Sequence, residues 1–248
     1  MSVIYEPRGR AREYAPLAAN LYSGCTHGCE YCYAPAALRR NKQAFHGAAA
    51  VRKGVLDELA RDARRMAGSG ARVLLSFTTD PYQPAESFCG VTRRAIEILH
   101  AHGLSIEVLT KGGTRASRDF DLYGPGDAFA STLTFLDPAQ SEKWEPNAAL
   151  PNDRIEAIRQ AHTAGITTWV SLEPVIDPEQ SLEIIRQMHP YVDLFKVGKL
   201  NYHPQAKNID WREFGHEATS LLSRLGKRYY IKDDLREHME RPYIVKYA

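Results

Sequence analysis

The sequence predicts a single-domain α/β fold with a parallel sheet, and three observations predict it. Apolar, β-branched runs alternate with segments of helical period, a pattern that calls for right-handed strand-helix-strand crossovers. Six such units follow one another within the 248 residues, with no internal repeat or long linker between them. At about 35 residues per unit, six units need roughly 210 residues, so residues 1–248 suit six units with short N- and C-terminal extensions better than eight with insertions.

The strands are expected at residues 19–23, 72–78, 105–110, 129–135, 167–172 and 192–197. After the first of them, residues 53–66 carry Val55, Leu59, Ala63 and Met66 on one helical face. Residues 92–101, 153–164, 178–188 and 211–225 read as helices in the same way, and Gly103, Gly165 and Gly226 stand where C-caps belong. The third unit has a short or irregular helix around residues 115–123. Ligands of such folds sit at the carboxyl ends of the strands, here residues 24–33, 78–83, 110–113, 135–138, 173–175 and 198–203.

Composition narrows the function classes. With 32 Lys and Arg against 30 Asp and Glu, the net charge of +2 lacks the overall basic footprint of a nucleic-acid-binding protein, although local patches remain. The 44% hydrophobic content supports a core and excludes a mainly disordered chain. No apolar run approaches the roughly 20 residues that cross a bilayer, and the N-terminal stretch lacks an apolar signal core. These features lead us to expect a cytoplasmic protein without a membrane partner.

Of the four cysteines, Cys25, Cys29 and Cys32 lie within eight residues of one another, and Cys89 stands apart. Random placement would put cysteines four and seven positions after a given one about once in ten thousand. Three thiolates in one short loop can hold three corners of a single 4Fe-4S cluster, with Gly24 and Gly28 letting the backbone curl around it. Zinc completed by His27 or Cys89 is the rival reading, although no second ligand knuckle follows; a trio of buried reduced thiols is the plain one.

The string Asn20-Leu-Tyr-Ser-Gly-Cys-Thr-His-Gly-Cys-Glu-Tyr-Cys-Tyr-Ala-Pro, directly after the first strand, resembles the radical S-adenosylmethionine (SAM) superfamily, and within it the spore photoproduct lyase-like branch. The likeness continues through Ser76-Phe-Thr-Thr-Asp-Pro-Tyr-Gln-Pro, Leu109-Thr-Lys-Gly-Gly, Ser171-Leu-Glu-Pro-Val and Phe195-Lys-Val-Gly-Lys-Leu-Asn. It implies a partial, TIM-like (β/α)6 barrel. It also implies that a reduced cluster cleaves SAM to a 5′-deoxyadenosyl radical, which takes hydrogen from a substrate. An electron donor such as flavodoxin or ferredoxin would reduce the cluster.

The resemblance also implies roles. Backbone at Tyr31 would meet the adenine, and Tyr33 would lie near the active site or pack on the first helix. Thr79 and Asp80 would receive the SAM amino group, although Asp80 before Pro81 also suits a turn that bonds its own backbone. Lys111 would pair with the methionyl carboxylate. Ser131 or Thr132 would bond the ribose, and only one of two adjacent strand residues can face it. Glu173 would touch SAM or substrate, backbone at Val197 would flank the adenine, and Lys199 and Asn201 would line the substrate mouth. The basic runs Arg8, Arg10, Arg12 and Arg39-Arg40-Asn41-Lys42 are either solvated faces or phosphate contacts.

The chain departs from the lyase at Phe77, where that enzyme carries a hydrogen-donating cysteine, so repair of the spore lesion by that route is not expected. The competing class is a non-catalytic iron-sulfur or zinc module for binding or sensing. Convergence of Tyr31, Thr79, Asp80, Lys111 and Glu173 around one ligand separates the enzyme from the module.

Overall fold

The computed structural model describes residues 2–240. Its strands are β1 (Ile4–Tyr5), β2 (Ala18–Ala19), β3 (Tyr22–Ser23), β4 (Ala50–Val51), β5 (Arg72–Leu75), β6 (Ser105–Thr110), β7 (Ala128–Thr132), β8 (Thr167–Val175), β9 (Leu194–Lys199) and β10 (Arg228–Ile231). Eight of them form one sheet in the order β1-β2-β5-β6-β7-β8-β9-β10, with β3 and β4 as a separate ribbon. Only β1 runs antiparallel to its neighbour in the large sheet; every other pairing there is parallel.

The sheet therefore has seven parallel strands, β2 and β5 to β10, one more than the six expected. The extra strand, β10, is four residues long and mostly exposed at the sheet's edge, so it lacks the apolar run that marks a buried parallel strand. Near the start of the sheet the expected strand 19–23 divides at Asn20. Its side-chain oxygen accepts the amides of Phe77 and Thr78 at 2.9 and 2.8 Å, which also explains why β5 stops at Leu75.

The helices Val55–Arg65, Val91–Ala101, Pro151–Thr163, Pro178–Met188 and Trp211–Arg224 fall where their apolar stripes predict. The irregular third helix is a 3-10 helix over Gly113–Leu122. Alternation along the strands separates two faces. Val73, Ile106, Phe129, Val170, Phe195 and Val197 are buried towards the helices, in the same core as Leu59, Ile96 and Leu222. Leu74, Leu109, Ala130 and Trp169 point the other way, into two small clusters that share Tyr14.

Tyr14 is the means by which the N-terminal segment covers that inner face. Its ring centroid lies 5.8 Å from that of Phe77 and 6.0 Å from that of Trp169. Beneath it, the Lys196 ammonium donates to the Tyr14 carbonyl at 2.7 Å and lies 3.4 Å from Glu107. Burial lowers the Lys196 pKa, and Glu107 only partly offsets this.

Candidate active site

The cysteine loop leaves β3 and is held from several sides. Cys25 donates its amide to the Phe45 carbonyl at 3.1 Å, and its own carbonyl pairs with His46 Nδ1 at 2.9 Å. Fully buried Gln83 accepts the Thr26 amide at 3.1 Å and donates to the Gly24 carbonyl at 3.3 Å. Asn147 donates its amide to the His27 carbonyl at 3.1 Å, and Glu30 to that of Trp144 at 2.8 Å. Gly24 is required here: φ is +85°, and a Cβ would stand 2.1 Å from the Ala48 carbonyl oxygen.

Cys29 is buried, and Cys25 and Cys32 are half-buried. Burial raises all three thiol pKa values, Cys29 to about 12; neighbouring sulfurs add to the rise at Cys25 and Cys29, whereas Lys111 and Lys42 partly offset it at Cys32. Among the described residues, no three His, Cys, Asp or Glu side chains are grouped closely enough to hold one metal ion. A cubane asks less of its ligands, because its corners hold the sulfurs farther apart than the shell of a single ion does. Three soft thiol donors on one curled loop are the donor set that such a cluster takes.

Seven of the residues singled out in the sequence line one cavity of about 500 Å³: Tyr31, Tyr33, Lys111, Thr132, Glu173, Lys199 and Asn201. Four others do not line it. The Asp80 carboxylate accepts the Tyr82 amide at 2.8 Å, the Thr110 hydroxyl at 2.6 Å and the Lys111 amide at 2.7 Å, and lies 3.5 Å from His27 Nδ1. It acts as a turn acceptor, and it ties the cysteine loop to the end of β6. Burial lowers the pKa of His27 to about 4 despite Asp80, so this ring is neutral. Thr79, beside Asp80, buries its hydroxyl without a hydrogen-bond partner among the described residues.

Strand alternation turns the Ser131 side chain away from the cavity, and Val197 is not among the residues that line it. Ser131 is fully buried and donates to the Thr110 carbonyl at 3.1 Å, which leaves Thr132 as the member of the pair on the cavity side. Val197 packs in the helix-side core, and its carbonyl accepts the Lys232 amide at 2.9 Å.

Lys111 presents a cation to the cavity. Its ammonium lies 5.5 Å from the Tyr31 ring centroid, and no ion pair or hydrogen bond joins it to a carboxylate among the described residues. Burial works against its charge, but Cys29 and Glu145 outweigh that and raise its pKa. Behind it, the Tyr31 hydroxyl donates to Glu145, which pairs with the buried Arg154 at 2.6 Å. Arg154 in turn donates to the Thr132 carbonyl at 3.1 Å.

On the opposite wall, Glu173 accepts the Tyr14 hydroxyl and lies 3.0 Å from the Lys232 ammonium. Burial raises the Glu173 pKa, partly offset by Lys232 and Tyr14. Gly198 makes room for it, since a Cβ there would stand 2.8 Å from Glu173 Cδ. Tyr14 and Lys232 lie more than two hundred positions apart in the chain and were not singled out in the sequence. Recognition of β10 would have marked Lys232, which directly follows it; nothing local marks Tyr14. Arg8 and Arg10 of the N-terminal basic run also reach the cavity.

The sequence profile of the radical SAM superfamily matches residues 19–189, from β2 to the end of the helix Pro178–Met188. The chain belongs to the radical SAM superfamily. Members of this superfamily use a 4Fe-4S cluster and SAM. This radical SAM chain is 31% identical over 166 residues to an uncharacterized Mycobacterium tuberculosis protein, covering 63% of the chain and 48% of that protein. It is 27% identical over 213 residues to a radical SAM Nalpha-GlyT isomerase of Pseudomonas phage M6, covering 84% of the chain and 42% of the isomerase. The chain thus spans about half the length of these curated relatives.

Among solved structures, spore photoproduct lyase complexed with dinucleoside spore photoproduct superimposes with a TM-score of 0.70 at 15% identity, over 92% of this chain and 79% of the lyase. SuiB of Streptococcus suis bound to SAM gives 0.65 at 12% identity, over 86% and 49%. At such identities the likeness is one of fold: the partial TIM-like barrel that the sequence motifs imply. No helix among the described residues is long and apolar enough to cross a membrane.

Proposed function

We propose that this radical SAM protein is an enzyme that holds one 4Fe-4S cluster on Cys25, Cys29 and Cys32, binds SAM in the adjoining cavity and abstracts hydrogen from an anionic, ring-bearing substrate of nucleotide or nucleic-acid type. The observation that carries this reading is the Lys111 ammonium, which lines the cavity beside the Tyr31 ring with no carboxylate in ion-pair contact among the described residues. When bound and reduced, the cluster with SAM supplies the 5′-deoxyadenosyl radical.

The chain's own residues have separable tasks. Lys111 acts as a point charge for the methionyl carboxylate, and Tyr31 offers backbone and ring to the adenine. Thr132 presents a hydroxyl for the ribose. Glu173, kept in place by Tyr14 and Lys232, accepts a ligand N-H or O-H. The rings of Tyr14, Phe77 and Tyr33 form an apolar wall that keeps water from the reacting atoms.

Substrate class follows from charge. Arg8, Arg10, Lys111, Lys199 and Lys232 line the cavity against the single carboxylate of Glu173. Arg10 pairs with Asp234 at 3.5 Å and Lys232 with Glu173 at 3.0 Å, while Arg8, Lys111 and Lys199 have no carboxylate in ion-pair contact among the described residues, so in a chain of net charge +2 unpaired cations gather where a phosphate-bearing substrate would enter. Exposed Tyr202, with the Arg10 guanidinium 5.7 Å from its ring centroid, offers a stacking surface at the mouth. A solved relative holds a dinucleoside ligand, which goes with this reading. A cytoplasmic setting, where thiols stay reduced, suits it too.

Anaerobic reconstitution tests the proposal. The expected result is about four irons per chain, 5′-deoxyadenosine formed from SAM and reductant, and more of it when single-stranded oligonucleotides are added at low salt. Cys29→Ala should lose both iron and product. A fully loaded protein that forms no 5′-deoxyadenosine under any of these conditions would refute the enzyme reading.

A further inference from the structure

The basic run Arg39-Arg40-Asn41-Lys42 plays no part in the cavity. Between Tyr31 and Leu56 the chain carries five Lys and Arg and no Asp or Glu, in a protein with 30 acidic residues overall. This acid-free stretch lies against the back of the cysteine loop. The Phe45 carbonyl receives the Cys25 amide, His46 pairs with the Cys25 carbonyl, Arg40 donates to the Ser23 hydroxyl at 2.9 Å, and β4 pairs with β3 immediately before Gly24. Residues 36–44 are all exposed. None of residues 34–53 lines the cavity.

We propose that this surface, centred on Arg39, Arg40 and Leu38, is the docking site of an acidic one-electron carrier protein. The inference rests on the cluster assigned above to Cys25, Cys29 and Cys32. Three features point to the occupant. The stretch is cationic, and only Lys42 of its basic run is paired with a carboxylate, Glu30 at 3.1 Å; the Arg39 side chain makes no hydrogen bond or ion pair among the described residues, so its charge is available to a partner. Leu38 is 44% exposed and Val51 37%, the mixed apolar and cationic character of a transient protein interface. The surface also touches the backbone of the cysteine loop from outside while the substrate mouth opens elsewhere, so an electron can enter while substrate is bound.

The transfer balances simply. An anionic flavin hydroquinone in the carrier loses one electron and becomes the neutral semiquinone, and the cluster gains that electron. No proton moves and no bond in this chain changes. Nucleic acid is the other polyanion that a basic surface attracts, but its reactive part would have to reach the cavity, to which this surface contributes no residue.

The test uses the reconstituted full chain with a purified flavodoxin reduced to its hydroquinone. Arg39→Glu/Arg40→Glu should raise the flavodoxin concentration for half-maximal 5′-deoxyadenosine formation about tenfold at low ionic strength and flatten its salt dependence. Arg39→Glu alone, at a side chain that bonds no other described residue, should show the same change in smaller measure. Iron content and the dithionite-driven rate should stay at wild-type values. Unchanged flavodoxin dependence in both variants would overturn the proposal, as would an equal loss with dithionite. Weakened oligonucleotide binding with normal flavodoxin dependence would assign the surface to nucleic acid instead. Absence of iron or of dithionite-driven product in the wild type would refute the enzyme reading itself, and the docking proposal with it.

Discussion

The Lys111 ammonium stands 5.5 Å from the centroid of the Tyr31 ring, so the cation at the end of β6 rests on the cysteine loop itself. Tyr31 is in turn anchored to Glu145, whose partner Arg154 is almost wholly buried. Cluster loop and ligand cavity are thus two sides of one charge network, and changes on either side have distinct expected effects.

Lys111→Met should weaken SAM binding by about tenfold to a hundredfold, the loss of one charge-assisted contact. Iron content should not change, because the side chain is not a ligand. Equilibrium binding of SAM to the anaerobic protein measures it. Lys111→Arg should restore part of the affinity, and wild-type affinity in Lys111→Met would remove the carboxylate-binding role.

Glu145→Gln should cost about 3–5 kcal/mol near neutral pH, since it strands the buried Arg154 charge. Burial opposes ionisation of Glu145, but Arg154 and Lys111 outweigh it and hold the carboxyl below its ordinary value of 4.5. A depressed carboxyl stabilises the fold above the unfolded pKa and ceases to as it protonates in the folded state. The difference between wild type and variant should therefore be full above pH 4.5 and shrink as pH falls further below it. Denaturant titrations across pH check this, and a difference that grows on acidification would contradict it.

Gly24→Ala should damage the cluster site, because a Cβ at φ +85° would stand 2.1 Å from the Ala48 carbonyl oxygen. Gly54→Ala is the matched control: its φ of +66° is also left-handed, but nothing lies within 4 Å of the added Cβ. The control should lose only about 1 kcal/mol and retain iron. Iron per chain after reconstitution, read beside thermal stability, separates a strained backbone from a collided one.

Phe77 packs between Tyr14 and Tyr33 at ring distances of 5.8 and 6.0 Å. A phenyl ring offers no readily transferred hydrogen, so the reconstituted protein should not reverse the thymine spore lesion. Mass spectrometry of oligonucleotides carrying the lesion would detect the repaired dinucleotide, and efficient repair would show that another residue donates.

Much of this was legible along the chain because it is local. Helical stripes, glycines past helix ends and the cysteine spacing all depend on residues within a few turns of one another, and the elements they predict are in place. Strand β10 escaped because an edge strand need not be apolar on both faces. Asp80 illustrates a different limit. Its place after a strand suited both a ligand contact and a turn, and only the tertiary positions of Tyr82, Thr110, Lys111 and His27 show the bonds it makes.

By itself, then, the sequence determined the α/β class, the superfamily and the trio of thiols, since periodicity and short motifs are written in neighbouring residues. The tertiary structure decided which side of each strand faces the cavity, choosing Thr132 over Ser131 and withdrawing Val197 into the core. It also brought Tyr14 and Lys232 to Glu173 from opposite ends of the chain. A buried carboxylate must find donors wherever the fold delivers them, and no local pattern encodes which distant residues those are.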